Sequence, residues 1–63
     1  SRIMKNHNLN DYRSGDVVKL EYGNNPYGII GSINRDTGQV LVRFASGPKV
    51  YKFTSLEVVV KNA

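Results

Sequence analysis

Cysteine and tryptophan are both absent from this 63-residue chain, and histidine occurs once, at His7. No disulfide can staple the fold, and neither thiolate chemistry nor cysteine-ligated zinc is open to it. A single histidine in a polar N-terminal stretch supplies no His-Asp-Ser set and no ligand cluster for a metal. Phosphate-cradling loops of P-loop or Rossmann form are missing too. Asp16 and Glu21 lie at odd spacing on one short strand, unlike a catalytic carboxylate pair, and Asp36 belongs to a turn. These absences predict no catalytic residue, no metal and no cofactor, so a non-enzymatic role is expected. Long apolar runs are also lacking. Nothing approaches the roughly 20 residues of a membrane-spanning helix, and no charged-then-apolar signal pattern stands at the start. A small fold without disulfides is most simply placed inside the cell, in cytoplasm or nucleus.

The length allows one domain, whose core must be economical. Nine Lys or Arg against five Asp or Glu leave a formal charge of +4, which favours anionic partners. Residues 1–10 are Asn-rich and aperiodic, and read as a flexible lead-in. Residues 11–61 carry the folded pattern, and 62–63 read as a frayed end, with Lys61 beside them. Tyr12 stands at the start of the folded part, where it can fold back onto the domain.

Alternation defines the strands. Val18, Leu20 and Tyr22 share one face of a first strand, with Lys19 and Glu21 on the other. The turn formers Gly23-Asn24-Asn25-Pro26 follow. Tyr27 to Asn34 is a second strand, in which Gly28 and Gly31 mark a bulge, a bend or a close backbone approach. Asn34-Arg35-Asp36-Thr37-Gly38 is a hairpin loop whose Gly38 can take the left-handed conformation. Gln39 to Ala45 is a third strand, Ser46-Gly47-Pro48 a turn, and Lys49 to Thr54 a fourth strand. Setting Ala45 opposite Val50 places Phe44 opposite Tyr51, Arg43 opposite Lys52 and Val42 opposite Phe53. The inner set is then Val40, Val42, Phe44, Tyr51 and Phe53. Ser55-Leu56-Glu57 suits a short helical turn, and Val58-Val59-Val60 a last strand.

Gly28-x-x-Gly31-x-Ile33, preceded by Gly15-Asp16-x-Val18, resembles the KOW motif of ribosomal proteins and elongation factors, with Tyr27 where that motif carries a basic residue. The segment from Tyr12 to Val60 also resembles Tudor-type barrels. The C-terminal barrel of UvrD- and PcrA-type helicases shares the sense of Gly15 to Val18, Gly28 to Ile33, Val42 to Phe44 and Leu56-Glu57. Chromatin Tudor domains show similar spacing. The resemblance implies an all-β fold: a small five-stranded antiparallel SH3-like, Tudor-like barrel with a short helical turn before the last strand. It implies a binding module rather than an enzyme, monomeric as an isolated domain.

Two constellations fit that expectation. Lys19, Arg35, Arg43, Lys49 and Lys52 form a candidate nucleic-acid-binding set on a basic strand face, aimed at nucleic acid or a nucleic-acid-associated protein. Tyr22, Tyr27, Phe44 and Tyr51 lie at strand ends that converge in a Tudor-like barrel. There they form a candidate aromatic mouth for a peptide or methyl-lysine, drawn by ring quadrupoles, or else they close one end of the core.

Overall fold

The computed structural model describes residues 8–21 and 27–62. Within them, five strands form one antiparallel sheet: β1 (Val17–Leu20), β2 (Gly28–Asn34), β3 (Gln39–Phe44), β4 (Gly47–Lys52) and β5 (Leu56–Val60). Their order is β4-β3-β2-β1-β5. The chain meanders from β1 to β4, and a 3-10 turn at Phe53–Ser55 then sends β5 to the free side of β1. A second 3-10 turn, Leu9–Asp11, precedes β1 and is capped by the Asn8 side chain. It begins inside the stretch read from sequence as a flexible lead-in. The described residues contain no α-helix.

Alternation builds the core as the sequence reading expects. Val18 and Leu20, Ile30, Val40 and Val42, and Leu56 are buried on one face of the sheet, with Tyr12 laid against them. Ile33, Phe44, Tyr51, Phe53 and Val58 pack around this centre. Tyr12 does fold back: its ring meets Phe53 edge to face at 5.7 Å, and its hydroxyl donates to the Leu56 carbonyl at 2.8 Å. A buried hydroxyl is thereby satisfied at the point where β5 begins.

The glycines of β2 have separate jobs. Ile30 and Ile33 are three residues apart, so regular alternation would put them on opposite faces. A register shift between Ile30 and Ser32, around Gly31, rephases the strand, and both face the core. Gly28 is the close approach: a methyl there would lie 2.5 Å from Val42 Cγ1 and 2.8 Å from the Phe44 ring. At the β2–β3 loop, Gly38 takes a φ of +80°, as the loop requires. The Asn34 side chain accepts the Asp36 and Thr37 amides in the same turn.

The third hairpin departs from the sequence reading. Its turn is Ala45-Ser46, and β4 starts at Gly47 rather than Lys49. Phe44 lies opposite Gly47, Arg43 opposite Pro48, Val42 opposite Lys49 and Val40 opposite Tyr51. Gly47 adopts a φ of +126°, which lets the chain reverse before Pro48 and not through it. Pairing moves by an even number of residues, so each side chain keeps its expected face. The last 3-10 turn also comes two residues earlier than expected, because Leu56 is needed as a buried strand residue.

Candidate functional site

Among the described residues, the core lies on one face of the sheet and the other face is left open. Antiparallel partners project to the same side, so the strand registers trace one row across all five strands: Val60, Val17, Ile29, Arg43 and Pro48. Leu41 and Val50 face each other beside it. Lys19 lies opposite Glu57 on the same face, and Lys52 opposite Gln39. The face thus mixes three cations with aliphatic side chains and the acid Glu57, and Glu21, of the same parity as Lys19, follows it at the end of β1.

Arg43 and Lys52 share this face but are not partners, so the like-charge opposition expected from sequence does not arise. Arg43 lies near the Ile29 end of β3 and Lys52 near the β2–β3 loop, opposite Gln39. The Arg43 side chain runs over the Gly31 bulge, its Nε 3.0 Å from where a Gly31 methyl would be, with Leu41 alongside. Among the described residues Arg43 and Lys52 have no ion-pair partner. Lys49 has inner parity opposite Val42, yet it is exposed because β4 is an edge strand. Arg35 works within the fold. Its two terminal nitrogens donate to the carbonyls of Leu9 at 3.0 Å and Tyr12 at 2.9 Å, binding the N-terminal turn to the β2–β3 loop.

Of the aromatic set, Tyr22 lies outside the described residues. Phe44 and Tyr51 are half-buried and meet edge to face, centroids 6.1 Å apart, although neither is the other's strand partner. Tyr27 stands apart from them. It precedes β2, is 61% exposed and makes no ring contact among the described residues. The β1–β2 register ends at Val18 and Gly28, so Tyr27 stands just beyond it, toward the Lys19 end of the open face.

Sequence reasoning passed over Ile29 and Val50, which are 50% and 56% exposed. A signal was present for Ile29: alternation with Ile30 and the small Gly28 leaves it facing out. Val50 needed the correct hairpin register. No group of three or more His, Cys, Asp or Glu able to hold a metal occurs among the described residues, and none of their helical turns is long and apolar enough to cross a membrane. No protein-family model, curated protein or solved structure matches the chain.

Proposed function

We propose that this chain is a non-catalytic accessory binding module of a larger nucleic-acid-associated intracellular protein, built as an SH3-like, Tudor-type barrel. The strand order, with a 3-10 turn before a β5 that returns to β1, supports that architecture. The observation that carries the function is the open sheet face, where Arg43 and Lys52 have no acid as strand partner and Lys19 is the only cation set against one. A surface of this kind attracts a polyanion and releases its counterions on binding. The half-buried Phe44–Tyr51 pair supports a core-closing role for those rings. A methyl-lysine cage instead turns ring faces toward its cation. That comparison favours the sheet face over the aromatic mouth.

Oligonucleotide binding measured across a salt series tests the proposal. Affinity is expected to fall linearly with salt on logarithmic axes. Removing Arg43 or Lys52 should make that slope shallower by about 0.7 to 0.9 each. Absence of binding at low salt, or binding indifferent to salt, excludes the nucleic-acid reading.

A further inference from the structure

The open face carries more than charge. Ile29 and Val50 expose about half their surface or more between the cations, and Tyr27 exposes more still. Duplex nucleic acid offers a rod of phosphates, and its base edges are read by a helix or ribbon entering a groove. Against a broad sheet face it would meet only the lysines and Arg43, leaving Tyr27, Ile29 and Val50 in water. A single strand is different, because its unpaired bases present π-faces that stack on rings and lie against aliphatic side chains while phosphates follow cations. Arg43 adds a flat group of the same kind. Its side chain lies along the sheet over Gly31, so the guanidinium can stack on a base and still donate at its edge.

We infer that the ligand of this face is single-stranded nucleic acid. It lies obliquely across the strands, from Lys19 on β1 toward Lys52 on β4, with bases on Tyr27, Ile29 and Arg43 between them. The inference rests on the nucleic-acid reading proposed above and narrows it. The path from β1 to β4 crosses three strand spacings, about 14 Å, besides its run along the strands. That length suits a short site, near the lower end of the roughly 4–16 nucleotides covered by comparable sheet modules.

The test is fluorescence anisotropy at low salt with one labelled sequence, presented single-stranded and as a duplex. The single strand is expected to bind at least about tenfold more tightly. Tyr27→Ala should weaken single-strand binding by about 5- to 100-fold with the salt slope unchanged, and Tyr27→Phe should keep it, since the ring carries the contact. Lys52→Ala should weaken both forms together and reduce the slope. Tyr27 precedes β2 and is largely exposed, so its variants should fold; matching circular dichroism and thermal midpoints confirm it. Equal or tighter duplex binding, or a Tyr27→Ala variant that binds the single strand as well as the parent, overturns the inference and leaves the broader reading standing. No binding to either form overturns both.

Discussion

The Asn62 amide donates to the Asp16 carboxylate at 2.7 Å, joining residues 46 apart in the chain. Asp16 is fully buried, and its second oxygen accepts from Lys61 Nζ at 3.0 Å and the Arg13 amide at 3.1 Å. Lys61 Nζ also reaches the Asp11 carbonyl, and Asn62 Nδ2 the Ser14 carbonyl at 3.2 Å. Residues read from sequence as a fraying end therefore lie clasped against the turn that leads into β1.

That clasp should make stability depend on acid. Burial alone pushes the Asp16 carboxyl up. The Asn62 amide, Lys61 and the Arg13 amide outweigh it and hold the group below its ordinary value. A depressed folded pKa contributes stability in full above the unfolded value of about 3.9, and that stability is lost as pH falls through the folded pKa. Urea midpoints are therefore expected to drop on acidification below about pH 4. Asp16→Asn should flatten this acid limb and cost about 1–3 kcal/mol at neutral pH. An acid limb of the same depth in the variant would assign the effect to other carboxylates.

Tyr12 should set an alkaline limit. Burial, then the charges of Glu21, Asp11 and Glu57, raise its phenol pKa. With the folded value raised, its contribution is complete below the unfolded value of about 10 and is lost as pH rises through the folded pKa. Tyr12→Phe keeps the ring against Phe53 but leaves the Leu56 carbonyl without this donor. The expected cost is about 1–2 kcal/mol at neutral pH, with a shallower loss of stability above pH 10. Thermal melts from pH 8 to 11 read both effects.

The contrast between the two ends of the chain explains what was legible in advance. Strand existence and inner faces follow from two-residue alternation, which places Val18, Leu20, Val40 and Val42 from sequence. Gly28 and Gly31 were legible only as a bulge, a bend or a close approach, and the pairing of β2 with β3 assigns the bulge to Gly31 and the close approach to Gly28. The β3–β4 register was not legible. Alternation fixes parity only, and the choice between turns at Ala45-Ser46 and Ser46-Gly47-Pro48 depended on the positive φ of Gly47. Asp16, Lys61 and Asn62 are polar residues at element ends, and their juxtaposition exists only once β5 has returned beside β1. The open face was half legible: its cations are visible in sequence, but its aliphatic row depends on pairings across five strands.

Two glycine substitutions should destabilise for different reasons. Gly28→Ala drives a methyl into Val42 and the Phe44 ring and should cost about 1–3 kcal/mol through overpacking. Trimming the neighbour, as in Gly28→Ala with Phe44→Leu, should recover part of that loss. Gly47→Ala meets no atom within 4 Å, but its φ of +126° is one that side chains rarely adopt. Its cost, about 1–3 kcal/mol, lies in the backbone, so no neighbouring substitution should recover it. Double-mutant cycles with Phe44→Leu separate the two: coupling is expected with Gly28→Ala and none with Gly47→Ala.

Pro48 sits where a missing amide proton costs the sheet nothing. The Phe53 amide donates to the Gly38 carbonyl at 2.9 Å, and antiparallel alternation from that bond turns Gly47, Lys49 and Tyr51 toward β3. Pro48, Val50 and Lys52 consequently direct their backbone groups to the edge of β4 that no described strand pairs with. An exposed edge bearing Val50 invites another strand, and a proline without a donor, followed by Lys49, discourages it. Pro48→Thr restores one edge donor and keeps a residue suited to a strand. Its thermal stability should stay within about 1 kcal/mol of the parent, because no intramolecular ladder bond is gained or lost. Its self-association should rise with concentration, seen as a growing weight-average mass in sedimentation equilibrium. Adding Val50→Lys to the same chain should return it to a monomer. If Pro48→Thr stays monomeric at every concentration at which the parent does, Pro48 does not guard this edge.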